Sequence, residues 1–158
     1  MYYNPIRVFA AMTAHPVNPL NVGRSTAQPG IDQATAAAMC RKMPTLAFMA
    51  AMYKWAGDHE QHDFLMYRLI IAAADIASEE QWRLPKGKEY LRKMSEIALK
   101  EVIEPGRWKD GTRKAEYMGM DKSTFYKTWR KRYESIYQVL DGWAQDGYRY
   151  VQRKNIEL

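Results

Sequence analysis

Apolar residues recur at every third or fourth position along most of this chain, and Pro or Gly interrupts each such run. This spacing places apolar side chains on one side of an α-helix, whereas no stretch shows the sustained alternation that is typical of a β-strand. The interruptions delimit predicted helices at 32–42, 45–55, 62–82 and 89–104, and a further helix from Asp121 to about Leu140. The sequence therefore predicts an all-α fold, a compact multi-helix domain.

The helix predicted at 62–82 is apolar around much of its circumference. Leu65, Leu69, Ala72, Ala73 and Ile76 all lie at helical spacing within it. A helix that is apolar on most sides is usually buried. We therefore expect this helix to lie at the centre of the fold.

The distribution of Pro, Gly and charge divides the chain into three predicted segments. Residues 1–30 hold four of the seven prolines and predict an extended, loosely ordered segment with a short ordered piece at IRVFAAM. Residues 31–104 are predicted to form a helical body, and Asp32 is placed to cap its first helix. Residues 105–158 predict a C-terminal helix-turn-helix that continues into a long helical tail rich in aromatic and basic residues.

Cysteine and histidine are too few to predict a metal or disulfide framework. Cys40 is the one cysteine, and His59 and His62 in DHEQHD lack the two further ligands that a zinc site needs. We interpret DHEQHD as a polar turn before a helix that starts near His62. The sequence has no Ser/His/Asp set, no credible pair of catalytic carboxylates and no Gly-rich phosphate loop. We therefore expect no catalytic residues, no metal, no cofactor and no enzymatic activity.

The longest apolar runs are much shorter than a membrane span. LIIAAADIA at 69–77 has far fewer than the roughly 20 apolar residues that a spanning helix requires. The first residues also lack the pattern of a signal peptide. We expect a cytoplasmic protein without a membrane partner.

The excess positive charge is confined to one window of the chain. Residues 86–132 contain fourteen Lys and Arg against seven Asp and Glu, a net +7, although the whole chain carries only +6. Residues 1–85 are balanced at seven against seven, and residues 133–158 carry three against four. Localised positive charge is typical of proteins that bind a polyanion, and nucleic acid is the first candidate.

Within this window, AEYMGMDKSTF has the spacing of a sharp turn between two helices. Ala115 is the small residue that a crossing helix requires, and Gly119 can adopt the positive φ of the turn. Met118 and Met120 flank the glycine as apolar plugs, and Asp121 is placed to cap the second helix. The spacing resembles the helix-turn-helix of DNA-binding regulators, A-x-x-Φ-G-Φ-polar-x-x-T-Φ, where Φ is apolar.

The predicted second helix has a core side and a basic side. Phe125, Trp129 and Ile136 share one side at helical spacing, which predicts their burial. The other side can enter the major groove, where Lys and Arg donate to guanine and Ser and Tyr reach bases or phosphates. Flanking cations can bind phosphate. The predicted DNA contacts are Lys122, Ser123, Tyr126, Lys127 and Arg130 on this side, with Arg113, Lys114, Lys131 and Arg132 as phosphate contacts.

The same residues also have a structural interpretation. Ala115 and Gly119 would then mark an ordinary corner between two helices, and the charged residues would form a solvated surface. The coincidence of the turn spacing, the cap and the confined charge favours DNA binding over this alternative.

The residues that follow this helix leave two interpretations open. Aromatic and Arg-rich surfaces are typical of protein interfaces and of platforms for single-stranded nucleic acid. Alternatively, the rings pack back onto the helical core. The residues concerned are Tyr133, Tyr137, Trp143, Tyr148 and Tyr150, together with Arg149, Arg153 and Lys154.

The turn and the segment FYKTWRKRYESIYQVLDGWAQDGYRYV at 125–151 resemble the C-terminal part of phage Q-type antitermination proteins. The likeness is to the smaller lambdoid-phage kind that lacks a zinc-binding insert, and it is clearest over 103–154. Its most distinctive part is Gly-Met-Asp-x-Ser-Thr-Phe-Tyr, with Trp129 four residues after Phe125. Some relatives carry Cys-x-x-Cys pairs just before the turn, where this chain has EPGRWKDG, so no metal is carried over.

The resemblance implies a transcription antitermination factor for late gene expression in a bacteriophage. Such proteins bind a DNA element at the late promoter and load onto host RNA polymerase paused nearby with its sigma factor. The polymerase then reads through pauses and terminators. The implied partners are double-stranded DNA, host RNA polymerase and its sigma factor, in the host cytoplasm, with a second copy on DNA left open. The alternative is a helix-turn-helix repressor, or a small-terminase-like DNA-packaging subunit, that acts on DNA alone.

Overall fold

The computed structural model describes residues 2–13 and 31–157, and all regular secondary structure within those ranges is helical, as predicted. None of the helices in these ranges is long and apolar enough to cross a membrane. The elements are α1 (Pro5–Met12), α2 (Gln33–Cys40), α3 (Thr45–Trp55), α4 (His62–Glu79), α5 (Glu89–Ile103), α6 (Pro105–Trp108), α7 (Gly111–Met118), α8 (Lys122–Thr124), a π-helical turn at Phe125–Trp129, and α9 (Arg130–Glu157).

Local capping explains where several helices begin and end. The Asp32 side chain accepts a hydrogen bond from the backbone N–H of Thr35 at 2.7 Å, which satisfies a free donor in the first turn of α2. Hydrogen bonding to Thr35 favours the carboxylate and lowers the pKa of Asp32. α4 ends at Glu79, earlier than predicted, because Gln81 takes a positive φ of 55° that a helix cannot continue through.

The described helices form two packed units. Unit 1 contains the described residues up to His59 together with those from Trp143 onward, and unit 2 is Glu60–Gly142. This grouping differs from the predicted segments 31–104 and 105–158. The reason is that Val151, in the second half of α9, belongs to the core that α1, α2 and α3 build.

Helix α1 belongs to that core, although residues 1–30 were predicted to be loosely ordered outside IRVFAAM. The Asn4 side chain accepts a hydrogen bond from the N–H of Ile6, and Pro5 occupies the first helical position. Val8 and Phe9 are fully buried. α1 therefore coincides with the short ordered piece expected at IRVFAAM and adds Pro5 to it, because two large apolar side chains find a core there. Residue 1 and residues 14–30 of the predicted segment lie outside the described residues.

In unit 1, the backbones of α9 and α3 lie in close contact at Gly147. A Cβ added to Gly147 would lie 2.8 Å from the Ala47 carbonyl oxygen and 2.9 Å from the Ala51 Cβ. Small residues on both helices therefore allow a close contact. The next residue of α9, Tyr148, has its ring centroid 5.4 Å from that of Trp55, so this ring packs back onto the helical body.

Unit 2 is built around α5, which buries seven apolar side chains: Tyr90, Leu91, Met94, Ile97, Ala98, Leu99 and Val102. α4 packs against α5 and buries Leu65, Leu69 and Ala73 on that side. Phe64, Tyr67 and Ile71 on other positions of α4 are exposed, so the expected burial of this helix was wrong for them. A helix that is apolar on most sides does not necessarily have packing partners on all of them.

Candidate nucleic-acid interface

The turn after α7 has the backbone geometry that its sequence predicts. Gly119 has φ 71° and ψ 36°, the left-handed conformation in which glycine is favoured over other residues. The N–H of Gly119 donates to the carbonyl of Glu116, and the N–H of Met120 donates to the carbonyl of Ala115. These bonds satisfy the last carbonyls of α7 and end the helix.

The small and apolar residues predicted around the turn differ in how deeply they are buried. Ala115 and Met118 are buried at 1% and 0% exposure, whereas Met120 is only partly covered. Asp121 holds the N-cap position of α8, but its side chain makes no capping hydrogen bond, so the predicted side-chain cap is absent. The aspartate that caps by its side chain is Asp110, which accepts from the N–H of Thr112 at 2.9 Å and starts α7.

The predicted core side of the following helix is buried. Phe125, Trp129 and Ile136 are 1%, 4% and 0% exposed, which confirms the predicted burial. Trp129 packs edge-on against Tyr90 of α5 at 4.7 Å between ring centroids. Tyr133, whose position the sequence left open, is also buried.

A π-helical turn interrupts this helix at Phe125–Trp129. The N–H of Arg130 donates to the carbonyl of Phe125, five residues back. Phe125, Trp129 and Tyr133 recur in steps of four, and in a regular α-helix each such step drifts by about 40° around the axis. The wider turn offsets that drift over the first of the two steps, and all three rings are buried.

The other side of the helix is exposed and basic. Within the described residues, Lys127 and Lys131 have no ion-pair partner and lie one turn apart. The Arg130 Nε is 3.3 Å from a carboxylate oxygen of Glu134, and both side chains are more than half exposed, so this pair leaves Arg130 accessible. The predicted contacts that are exposed here are Lys122, Ser123, Tyr126, Lys127, Arg130 and Lys131.

Tyr126 lies at the centre of this exposed side. The Nζ of Lys122 and the guanidinium carbon of Arg130 lie 5.9 Å and 5.7 Å from its ring centroid. The ring lies against Gly111, the first residue of α7: a Cβ added there would be 2.5 Å from the Tyr126 hydroxyl oxygen. The absence of a side chain at Gly111 therefore makes room for a half-exposed aromatic ring between two cations.

Lys114, predicted as a phosphate contact, is instead a buried residue. It is 8% exposed, its Nζ lies 3.1 Å from the Glu101 carboxylate, and it sits 4.3 Å over the ring of Tyr133. The Tyr133 hydroxyl also donates to Glu101. Burial, followed by this hydrogen bond, raises the pKa of Tyr133. Lys114 points toward α5 rather than solvent, so the prediction of a phosphate contact was wrong.

The two remaining predicted phosphate contacts differ from each other. Arg113 is exposed, although it donates to the carbonyl of Arg107 at 3.1 Å and lies over the ring of Trp108. Arg132 lies between two tryptophan rings and donates to the carbonyl of Arg83 at 3.1 Å; the rings are those of Trp82 and Trp129. Burial lowers the pKa of Arg132. Arg113 is therefore available to a phosphate, whereas Arg132 holds two segments of unit 2 together.

A cavity of about 460 Å³ opens beside Tyr126. Its polar walls include the pair Lys114 and Glu101 and the pair Arg130 and Glu134, each of which is already an ion pair. The remaining lining includes Lys109, Tyr137 and Gln138. We interpret the cavity as a polar recess next to the basic surface, because most of its charged groups already have partners.

The residues considered for metal binding or catalysis are accounted for by packing. The ring of His59 lies 4.8 Å from that of Tyr53, and the Nδ1 of His62 lies 3.4 Å from Asp63. Within the described residues, no three His, Cys, Asp or Glu side chains come together as a metal site. Cys40 is buried, and burial raises the pKa of its thiol to about 11, which disfavours the reactive thiolate.

Sequence reasoning missed Glu101 and Gly111 as parts of this region. Glu101 lies on α5, thirteen residues before Lys114, and its local sequence is that of any exposed acid on that helix. Gly111 follows the capping Asp110 and precedes a basic helix, and this combination is a signal for a helix start.

Comparison with known proteins gives no match: no protein-family model, no curated protein and no solved structure matches this chain. Function is therefore inferred from the geometry of the described residues and from the sequence features above.

Proposed function

We propose that this chain binds double-stranded DNA with the exposed basic side of the helix that follows Gly119. The observation that carries the proposal is the pair Lys127 and Lys131, which are exposed, one turn apart and without an ion-pair partner among the described residues. They lie opposite the buried rings of Phe125 and Trp129. Cations kept free on one side of a rigid helix are suited to a phosphate-lined groove.

The roles of the contacting residues follow from where they lie along the helix. The first exposed residues of a recognition helix face base edges, so we assign base contacts to Ser123, Tyr126 and Lys127, and to Arg130 one turn further on. Lys122, Lys131 and Arg113 are assigned to phosphates, which set the register of the protein on DNA. Lys114 and Arg132 are left out of this interface because both are engaged within unit 2.

We further propose that DNA binding serves transcription antitermination in a bacteriophage. The support is the resemblance of the turn and of 125–151 to Q-type antitermination proteins, together with the presence of unit 1, which contains no part of the basic helix side. A factor that remains with RNA polymerase after leaving its DNA site needs protein surface beyond its DNA-binding residues. Unit 1 provides additional surface of that kind.

In vitro transcription of the phage late region by host RNA polymerase holoenzyme tests this role. The full chain is added or omitted, and transcript length beyond the first terminator is measured separately from the number of starts. Longer transcripts with unchanged initiation would support the antitermination factor. Fewer starts, or no change despite tight DNA binding, would instead indicate the repressor or the DNA-packaging subunit.

A further inference from the structure

The exposed side of α4 carries a row of large apolar side chains. Phe64, Tyr67 and Ile71 are 42%, 63% and 39% exposed, and their spacing of three and four places them on one side of the helix. Leu65 and Leu69, by contrast, pack toward α5. A stripe of this kind on an otherwise packed helix is typical of an interaction surface.

Two charged residues of opposite sign lie on the same stripe, one on either side of Ile71. Arg68 lies three residues before Ile71 and Asp75 lies four residues after it, and both are exposed. Within the described residues, neither forms an ion pair. They are seven positions apart, which is about 10 Å along the helix and nearly two full turns, so both lie at almost the same angle around its axis.

We propose that this side of α4 is a contact between two copies of the chain, which pack antiparallel about Ile71. In that arrangement the two-fold axis passes between positions 71 and 72, so Arg68 of each copy meets Asp75 of the other and the two Ile71 side chains lie next to each other at the axis. A two-fold axis generates both ion pairs at once, since residue i contacts j wherever j contacts i. A parallel pairing would instead oppose Arg68 to Arg68 and Asp75 to Asp75.

Charge symmetry is what selects a second copy over an unrelated partner. An apolar stripe would accept many partners, but a cation and an anion placed on either side of Ile71 complement the same surface turned end for end. The contact is small beside the roughly 800 Å² per partner of a standard interface. We therefore expect reversible dimers with a dissociation constant on the order of 10–100 μM, strengthened when both copies are held on one DNA.

The first test is the oligomeric state of the full chain without DNA, so its result is independent of the proposed DNA-binding function. Sedimentation velocity over a range of concentrations should show a monomer–dimer equilibrium. Ile71→Glu should raise the dimer dissociation constant about tenfold or more, because it places two carboxylates at the axis. The matched control is Ile6→Glu: Ile6 is exposed to a similar degree, 41%, but lies on α1 in unit 1, so this variant should dimerise like wild type.

The second test reverses the charges. Arg68→Glu alone opposes acid to acid, and Asp75→Arg alone opposes base to base, so each variant should be monomeric where wild type dimerises. In a mixture of the two variants, the introduced carboxylate of one chain faces the introduced guanidinium of the other, and the native Arg68 and Asp75 form the second pair. The mixture should therefore recover the dimer. Circular dichroism should show unchanged helix content, because both substituted positions are exposed.

Three results would overturn the proposal. A wild-type chain that stays monomeric at about 500 μM would exclude the contact. If the Ile71→Glu variant still dimerises like wild type, the contact between the two copies lies on another surface. A mixture of the two charge variants that stays monomeric would exclude the antiparallel pairing.

Discussion

The ring of Tyr126 occupies the space that a side chain at Gly111 would need. A Cβ at Gly111 would come within 2.5 Å of the Tyr126 hydroxyl oxygen and 2.6 Å of the adjoining ring carbon. Tyr126 lies on the exposed basic side that we assign to DNA, whereas Gly111 starts α7. The orientation of a proposed base-contacting ring therefore depends on a missing side chain in another helix.

Gly111→Ala should move Tyr126 while leaving the fold intact. The nearest atoms to the new methyl group belong to the far end of a tyrosine side chain, which can rotate away, and alanine suits a helical position. We expect specific DNA affinity to fall about three- to tenfold with little change in thermal stability. The matched control is Gly106→Ala, where a Cβ would meet nothing within 4 Å and DNA binding should be unchanged. If both variants bind DNA as tightly as wild type, Tyr126 is not part of the interface.

Lys127→Ala and Arg130→Ala should each weaken binding to the specific site by about 1–3 kcal/mol if they contact bases. Fluorescence anisotropy with specific and random duplexes at several salt concentrations measures this loss. The control is Arg92→Ala on α5, since Arg92 pairs with Glu96 at the same four-residue spacing as Arg130 with Glu134. Equal losses on both duplexes would reassign Lys127 and Arg130 to phosphates. Unchanged affinity would remove the helix from the interface.

Gly119→Val should destabilise the protein because of its backbone conformation and not because of crowding. Gly119 has φ 71°, and the nearest atom to an added Cβ is the Lys93 Nζ at 3.9 Å. The left-handed conformation costs about 1–2 kcal/mol for an ordinary residue and more for a β-branched one. Gly119→Asn should be tolerated better, because asparagine enters this conformation readily. Urea unfolding checks both; a fully stable valine variant would contradict the turn geometry.

The two glycines within α9 should respond oppositely to alanine. At Gly142 a Cβ would meet nothing within 4 Å, so Gly142→Ala should stabilise by about 0.5–1 kcal/mol through helix propensity. At Gly147 the Cβ would press on the backbone of Ala47, which cannot rotate away, and Gly147→Ala should destabilise by about 1–3 kcal/mol. Melting temperatures of the two variants provide the comparison. Stabilisation by both would mean that α9 does not approach α3 at Gly147.

Lys114→Ala should lower stability by about 3 kcal/mol, because it leaves the largely buried Glu101 carboxylate without its cation. Lys93→Ala is the control, since its ion pair with Glu89 is more exposed and should contribute less than about 1 kcal/mol. Chemical denaturation measures both. The slope of DNA affinity against salt should stay as in wild type for Lys114→Ala. A shallower slope would restore Lys114 as a phosphate contact.

Features set by neighbouring residues could be predicted from the sequence. The cap of α2 at Asp32, the bounds of α3 and the positive φ of Gly119 each depend on residues only a few positions apart. The buried side of Phe125, Trp129 and Ile136 follows from periodicity alone.

Features set by contacts between helices could not be predicted in this way. Lys114 looks like a solvated cation until α5 brings Glu101 and α9 brings Tyr133 to it. The apolar circumference of α4 gave no indication that the side bearing Tyr67 would stay exposed. Whether a side chain is free or paired depends on which helices become neighbours, and the local pattern does not contain that information. The DNA contacts themselves stay predictions.

Unit 1 is built from two separate stretches of the chain, one up to His59 and one from Trp143 onward, so the ribosome synthesises them at different times. The 83 residues of unit 2 are synthesised between α3 and the segment of α9 that contributes Val151 to the unit 1 core. At 5–20 residues per second, that interval lasts about 4–17 s. During it, the core that α1, α2 and α3 build lacks Val151, and chaperones have time to bind its exposed apolar residues. Unit 2 is a single uninterrupted stretch, so it can begin to fold before the part of α9 that completes unit 1 has been synthesised.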